Sequence, residues 1–91
     1  MQIEFDPAKD AANIANIAKH GVSLARAGDL EVLARLVDAR FDERRLRAYG
    51  LIDGQMFCLA YTQRDGRLRA ISLRRTRFKE YRRHVRQDDQ A

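Results

Sequence analysis

The C-terminal part of the chain is rich in arginine, a residue suited to binding phosphate. Residues 64–86 contain ten Lys or Arg and two Asp or Glu, a net charge of +8. A guanidinium group offers two parallel donors to the oxygens of one phosphate and stays protonated near neutral pH. Aromatic side chains are interleaved with these cations: Tyr49, Tyr61, Phe78 and Tyr81. We interpret this combination as a nucleic-acid interface in preference to a solvated basic surface.

Residue usage elsewhere excludes several classes of protein. Cys58 is the single cysteine, so the chain has no internal disulfide and no cysteine pair for zinc. His20 and His84 lie far apart in the sequence, with no carboxylate cluster at metal-ligand spacing. No apolar run is long enough to span a bilayer. Glu4 and Asp6 stand where a signal peptide would be cationic and then apolar. We expect a soluble, cytoplasmic protein without metal or cofactor.

Length and charge distribution point to one domain with a polyanionic partner. A chain of 91 residues has room for a single domain over residues 1–91, with a polar tail at residues 87–91 that frays. Residues 1–39 carry a net charge of −2 and residues 40–91 a net charge of +7. This asymmetry favours nucleic acid over a membrane surface as the partner.

The first helix is predicted from its end signals. Asp6 can accept hydrogen bonds from free backbone N–H groups, and Pro7 is favourable at the first helical position. Gly21 supplies the left-handed residue that ends many helices. The predicted helix covers residues 7–20, with Ile14 on its apolar face.

Two more elements are predicted near this helix. Gln2–Phe5 alternates apolar and polar residues, as a short edge strand does. Ser23 can cap a second helix over residues 24–32, weakened by Gly28. Residues 33–37 fit either a continued helix or a short strand.

The middle of the chain predicts two β-hairpins. Asp-Gly pairs at residues 53–54 and 65–66 are strong signals for two-residue turns. They separate strands expected at residues 44–52, 55–64 and 67–75. If both turns have two residues, the residue numbers of two cross-strand partners add up to 107 in the first hairpin and to 131 in the second.

This register assigns the side chains of the three strands to two faces of the sheet. The expected core face comprises Leu46, Ala48, Ile52, Phe57, Leu59, Tyr61, Ala70 and Ser72, with Arg74 at its end. The opposite, mixed face comprises Arg45, Arg47, Tyr49, Met56, Cys58, Ala60, Arg69, Ile71, Leu73 and Arg75. A one-residue bulge would exchange these assignments beyond it.

A final helix is expected to begin at Thr76, with Phe78, Tyr81 and Val85 on its core-facing side. The fold class is therefore α+β: two N-terminal helices, an antiparallel meander of about four strands and a C-terminal helix.

Several segments resemble the BrnT family of toxins. The chain has D-P-A-K at residues 6–9, N-I-A-K-H-G-V-S at residues 16–23 and R-A-I-S-L-R-R at residues 69–75. Further similar segments occur at residues 38–45, 50–54, 61–66 and 80–81. The likeness extends in order from about residue 3 to residue 84, and K-H-G-V-S together with R-A-I-S-L-R-R is fairly specific.

The resemblance implies a RelE-like fold and the toxin of a type II toxin–antitoxin system. Such toxins cleave RNA, often messenger RNA, without a metal ion. The implied partner is a small ribbon-helix-helix antitoxin of BrnA type, and the toxin would contact DNA only indirectly, through that antitoxin. The alternative is a non-catalytic basic module that binds only RNA or the antitoxin.

Metal-free RNA cleavage needs a base for the 2′-hydroxyl, cations for the charged phosphorane and an acid for the 5′-oxygen. Arginine suits only the second role, which leaves His20, Lys19, Glu43, Glu80 or Tyr81 for proton transfer. The hypothesised catalytic set is Lys19, His20, Glu43, Arg45 and Arg75. The hypothesised RNA-binding set is Arg64, Arg67, Arg69, Arg74 and Tyr81.

Each of these residues also has a purely structural interpretation. Lys19 and His20 can be cations at a helix C-terminus, Glu43 can pair with a nearby arginine, and Tyr81 can belong to a core stripe. Adjacent strand residues point to opposite faces, so Arg74 and Arg75 reach one phosphate only if the strand ends between them.

The mixed face of the sheet is the expected antitoxin surface. It would expose Met56, Ile71 and Leu73 among arginines, which suits an acidic amphipathic segment. An antitoxin there would compete with RNA for the same cations.

Overall fold

The computed structural model describes residues 2–16, 21–38 and 45–85. Its strands are β1 (Gln2–Phe5), β2 (Glu31–Asp38), β3 (Arg45–Ile52), β4 (Gln55–Arg64) and β5 (Arg67–Arg75). Its helices are α1 (Pro7–Ala15), a 3₁₀ helix (Leu24–Asp29) and α2 (Phe78–His84). The order of strands in the sheet is β1-β5-β4-β3-β2.

The α+β class is confirmed, but the sheet has five strands and is mixed. β3, β4 and β5 form the predicted antiparallel meander, and β2 extends it. β1, the predicted edge strand, pairs in parallel with the start of β5, so that the first and last strands are neighbours. The expectation of an antiparallel sheet of about four strands was therefore incomplete.

The second helix predicted over residues 24–32 is wrong in type and length. It is a 3₁₀ helix that ends at Asp29, where the backbone N–H of Leu30 bonds to the carbonyl of Ala27. The chain then becomes extended as β2, because pairing with β3 satisfies its backbone groups. Gly50 of β3 permits this approach, since a Cβ there would overlap the Glu31 backbone.

Helix α1 begins as predicted and ends earlier. The Asp6 carboxylate accepts from the N–H of Ala8 at 2.8 Å, and Pro7 follows at the first turn. The helix ends at Ala15 and not at residue 20; Asn16 has ψ 74°, outside the helical region. Residues 17–20 lie outside the described part of the chain. The side chain of Ile14, expected on the apolar face, is 45% exposed.

The side chain of Asn13, and not an apolar side chain such as Ile14, attaches α1 to the sheet. Its side-chain amide donates to the carbonyls of Val22 at 2.8 Å and Leu73 at 2.9 Å, and accepts from the N–H of Leu73 at 3.2 Å. Asn13 is 4% exposed. Its amide thus pairs with the edge of β5 beyond the end of β1.

Both hairpin turns are confirmed. Asp53 and Gly54 have φ of 51° and 77°, and Asp65 and Gly66 have φ of 51° and 75°. Two successive left-handed residues define the tight turn that suits the twist of a hairpin, and Asp-Gly tolerates it well.

The predicted register holds throughout the first hairpin and for only half of the second. Positions sum to 107 from Leu46↔Tyr61 to Ile52↔Gln55. In the second hairpin they sum to 131 as far as Tyr61↔Ala70, after which the register shifts and Ala60 faces Ser72. Ile71 is therefore the extra residue of a β-bulge.

The bulge exchanges the faces of the end of β5. We call the side of the sheet that carries Leu59 the first face and the side that carries Tyr49 the second face. Leu73 and Arg75 belong to the first face and Ser72 and Arg74 to the second, which reverses their predicted positions. The first-face core comprises Leu24, Ala27, Ala48, Ile52, Phe57, Leu59, Tyr61, Ala70 and Leu73.

Helix α2 covers part of the second face. Tyr81 and Val85 are buried there with Tyr49 and Cys58, as the predicted stripe requires. Phe78, the third member of that stripe, is 61% exposed, with the guanidinium of Arg82 6.0 Å from its ring centroid.

The start of α2 differs from the prediction as well. The helix begins at Phe78 and not at Thr76, because the N–H of Thr76 still bonds to the carbonyl of Met56 on β4. The extended backbone of β5 therefore continues past its last paired residue.

Candidate nucleic-acid interface

A cleft of about 200 Å³ opens on the second face. Its lining comprises Asp38, Arg45, Leu46, Arg47, Cys58, Ala60, Ile71, Ser72 and Arg74. Cys58 belongs both to this lining and to the cluster under α2, so the cleft adjoins the covered part of the face. With three arginines and one aspartate in its wall, the cleft suits an anion.

A chain of hydrogen bonds connects two of these arginines. Arg47 donates from Nη1 to the hydroxyl of Tyr49 at 3.0 Å, and that hydroxyl donates to Oε2 of Glu80 at 2.7 Å. Arg74 donates to both oxygens of Glu80, at 3.0 and 2.7 Å. We call the sequence Arg47–Tyr49–Glu80–Arg74 the relay. It fixes two guanidinium groups at the cleft in set orientations.

The electrostatics of the relay keep Glu80 charged and Tyr49 neutral. The bidentate contact with Arg74 lowers the pKa of Glu80 to about 2, and the hydrogen bond with Glu80 raises the pKa of Arg74. Burial raises the pKa of the Tyr49 hydroxyl. Neither Glu80 nor Tyr49 is therefore suited to exchanging protons near neutral pH. Instead, Tyr49 accepts a hydrogen bond from Arg47, and Glu80 accepts two from Arg74.

Asp38 also lines the cleft and lies close to Arg47. It is 6% exposed, and its Oδ2 lies 3.6 Å from Nε of Arg47. An anion buried at this depth needs a paired cation. Arg47 is thus held by a carboxylate at one nitrogen and by a phenol at another.

The remaining reactive side chains near the relay are suppressed by burial. Cys58 is 2% exposed, and burial raises the pKa of its thiol, which disfavours the nucleophilic thiolate. The ring of His84 stacks on that of Tyr49 with centroids 4.6 Å apart. Burial lowers the pKa of His84, which favours the neutral imidazole.

The structure brings part of the predicted site together. Arg45 and Arg74 both line the cleft. Arg67 and Arg69 occupy second-face positions of β5, where Glu4 of β1 lies 3.9 and 3.8 Å from them. Both arginines are exposed, so they extend the basic surface beyond the cleft.

Two predicted residues are placed away from the cleft. Arg75 pairs with Phe57 in the register and so lies on the first face, opposite to Arg74. Tyr81 lies on the buried side of α2 and is 6% exposed, and burial raises its pKa. The backbone of Arg64 belongs to β4. Three further members of the predicted site, Lys19, His20 and Glu43, lie outside the described part of the chain.

The sequence hypothesis omitted three residues of the site: Asp38, Arg47 and Tyr49. Arg45, Arg47 and Tyr49 alternate along one strand, a spacing that puts them on one face. The sequence analysis did place the three on the mixed face, but it assigned only Arg45 to the site. The pairing of Arg74 with Glu80 could not be inferred from spacing alone, because it requires the bulge.

The apolar part of the predicted antitoxin surface is only partly present on the second face. Leu73 is fully buried in the first-face core, and Met56 packs against the cluster under α2. The expectation that Leu73 is exposed on the second face was therefore wrong, since the bulge moves it to the first face. Met56 is half-buried beside α2, and Ile71 lines the cleft.

Comparison with protein families identifies the chain. The family model described as the ribonuclease toxin, BrnT, of type II toxin–antitoxin systems matches residues 5–80. The chain belongs to this family of ribonuclease toxins, and membership implies an antitoxin partner. No curated protein matched the chain.

The described residues contain neither a membrane-spanning helix nor a cluster of metal-ligating side chains. None of the helices in residues 2–16, 21–38 and 45–85 has the length and hydropathy needed to cross a membrane. The same residues contain no group of three or more His, Cys, Asp or Glu placed to hold a metal ion.

Proposed function

We propose that this chain is a cytoplasmic, metal-independent endoribonuclease that cleaves messenger RNA, with a BrnA-like ribbon-helix-helix antitoxin as its inhibitor. The observation that carries the proposal is the cleft on the second face, where Arg45, Arg47 and Arg74 line one anion-sized space. The relay holds two of them in place before any substrate binds.

The proposed reaction is attack by the RNA 2′-oxygen on the adjacent phosphorus. A base removes the 2′-hydroxyl proton, the bond from phosphorus to the 5′-oxygen breaks, and an acid returns a proton to that oxygen. The products are a 2′,3′-cyclic phosphate and a 5′-hydroxyl. These bond and proton changes are complete without an oxidant or a metal ion.

The roles divide between two groups of residues. The arginines of the cleft stabilise the extra negative charge of the phosphorane, and fixed orientation makes them effective because they need not reorganise. Proton transfer falls to the candidates from the sequence: His20, with Lys19 and Glu43. Arg67 and Arg69 bind flanking phosphates.

The antitoxin is proposed to inhibit through charge. The exposed arginines of the second face would pair with acidic side chains of the antitoxin, which excludes RNA from the same cations. Apolar contacts with Leu73 play no part.

The decisive experiment incubates the purified toxin with a defined messenger RNA in excess EDTA and maps the new ends. Cleavage that persists and leaves 2′,3′-cyclic phosphates supports the proposal. Arg45→Ala should lower the cleavage rate by about 100-fold, a typical loss for one charge-stabilising donor. Arg35→Ala removes an exposed arginine from β2 at a first-face position, opposite Ala48, and serves as the matched control. Tight binding of RNA that stays intact would establish the non-catalytic module instead.

The neighbouring pair Arg74 and Arg75 provides a second test within one strand. The two residues have the same side chain and lie on opposite faces. A larger loss of cleavage in Arg74→Lys than in Arg75→Lys assigns phosphate binding to the second face. The reverse order would favour the hypothesised catalytic role of Arg75.

A further inference from the structure

A second cavity adjoins the cleft at the bulge. It has a volume of about 300 Å³ and is lined by Lys9, Ala12, Asn13, Asn16, Ile71 and Ser72. Ile71 and Ser72 also line the cleft on the second face. The two spaces therefore meet at the two residues that follow the point where the register shifts.

The meeting point is a gap in the edge of the sheet. β1 covers β5 only as far as Ala70, and the amide of Asn13 engages the backbone of Leu73. Ile71 and Ser72 lie between these two contacts, at the bulge. The edge of β5 is thus bordered on both sides of the gap, and the two residues of the gap line both cavities.

We propose that the two cavities form one trough, which holds single-stranded RNA across this edge, with the nucleotide next to the cleaved phosphate in the cavity beside α1. This inference rests on the proposed function, because a cleaved phosphate joins two nucleotides and needs a site on either side. The cleft takes the phosphate, and the second cavity takes the neighbour.

The chemistry of the second cavity fits a nucleotide. Lys9 and Asn16 are exposed, and they offer a cation for a backbone phosphate and an amide for a base edge. Ala12 and Ile71 supply apolar contact for the base or the ribose. Both amide donors of Asn13 are used by the carbonyls of Val22 and Leu73, so it offers no free N–H to a ligand. The volume is near the lower limit of small-ligand sites, roughly 300 Å³.

Lysine variants test the trough without disturbing the core. A fluorescent 2′-O-methyl RNA binds but cannot react, because its 2′-oxygen carries no proton to lose. We expect Lys9→Ala to raise the Kd for this RNA about tenfold and to reduce the salt slope of binding by about 0.7. Lys9→Arg should restore both values. Lys79→Ala removes an equal charge from the exposed side of α2, and it should change the Kd by less than about threefold.

The outcomes separate the trough from the proposed function. Equal effects of Lys9→Ala and Lys79→Ala would overturn the trough, while cleavage by the wild type would leave the ribonuclease proposal standing. Weaker antitoxin binding with unchanged RNA binding in Lys9→Ala would mark a protein contact and also overturn it. Binding sensitive to Lys9 without any cleavage would support the trough and reject the ribonuclease. A wild type that does not bind RNA would overturn both.

Discussion

The two faces of the sheet are held by different kinds of interaction. On the first face, Leu24 and Leu73 are fully buried in an apolar cluster that continues through all three strands of the meander. On the second face, the buried cluster is smaller and borders the ionic relay. Apolar burial contributes stability without needing fixed polar geometry, whereas the relay orients charges. The first face therefore stabilises the fold, and the second face orients the guanidinium groups of Arg47 and Arg74 at the cleft.

The largest expected effect is on the first face. Leu73→Ala should lower the free energy of unfolding by about 2–5 kcal/mol, because it leaves a cavity in the core. Leu33→Ala removes the same atoms from a side chain that is 39% exposed on β2, and it should cost less than about 1 kcal/mol. Urea denaturation of both variants measures the difference. Similar losses would contradict the contrast between core and edge.

The next effect concerns Glu80 and depends on pH. Its pKa falls from 4.5 to about 2 on folding, so its contribution is complete above pH 4.5 and disappears as the pH falls from 4.5 towards 2. Glu80→Gln should destabilise the protein by about 1–3 kcal/mol at pH 7. Measured by urea denaturation, the difference in free energy of unfolding between Glu80→Gln and the wild type should decrease steadily below pH 4.5.

Glu4→Gln provides the control for that measurement at pH 7. Glu4 makes only long ion pairs, at 3.8 and 3.9 Å, with exposed arginines, and pairs of this kind contribute less than about 1 kcal/mol. If the difference in free energy of unfolding between Glu80→Gln and the wild type stays constant from pH 7 to pH 2.5, the ion pair with Arg74 does not stabilise the fold.

A smaller effect on stability, with a larger one on cleavage, is expected for Tyr49→Phe. The substitution keeps the buried ring and removes the hydroxyl that joins Arg47 to Glu80. We expect a loss of about 1 kcal/mol in stability and a fall in kcat of about tenfold, with little change in KM. Tyr61→Phe is the same change on the first face and should leave kcat unaltered. A rise in KM with kcat unchanged would mean that the relay does not orient the arginines for the transition state.

The smallest effect is expected at Phe78. Because this ring is 61% exposed, Phe78→Ala should change the free energy of unfolding by less than about 0.5 kcal/mol. Val85→Ala, at a buried position of the same predicted stripe, should cost more, about 1 kcal/mol or above. Thermal denaturation of the pair checks whether the stripe has one exposed member, as the structure indicates.

Local signals in the sequence predicted the parts of the fold that depend on neighbouring residues. The two Asp-Gly turns, the three strands beside them and the cap at Asp6 are confirmed, because each is determined within a few residues. The parallel pairing of β1 with β5 could not be obtained in this way, since it joins opposite ends of the chain. The replacement of a second α-helix by β2 likewise reflects pairing with β3.

The site was harder to predict than the fold, and one residue explains most of the difference. The extra residue at Ile71 moves Arg74 to the second face and Leu73 to the first. Side chains alternate with a period of two, so a single insertion reverses every assignment beyond it. The sequence therefore singled out a basic segment but could not show which of two adjacent arginines lies in the cleft. The buried amide of Asn13 was equally hidden, because a helical pattern favours Ile14 as the anchor.

The pairing of β1 with β5 also sets the order in which parts of the molecule can form during synthesis. Gln2 pairs with Arg67, so the first strand to leave the ribosome has no partner until the last strand has emerged. The gap at Ile71 and Ser72 requires β5 beside both β1 and α1, and the contact of Arg74 with Glu80 requires α2 as well. In a nascent chain, therefore, neither the gap nor the contact of Arg74 with Glu80 can form until the chain has emerged as far as α2.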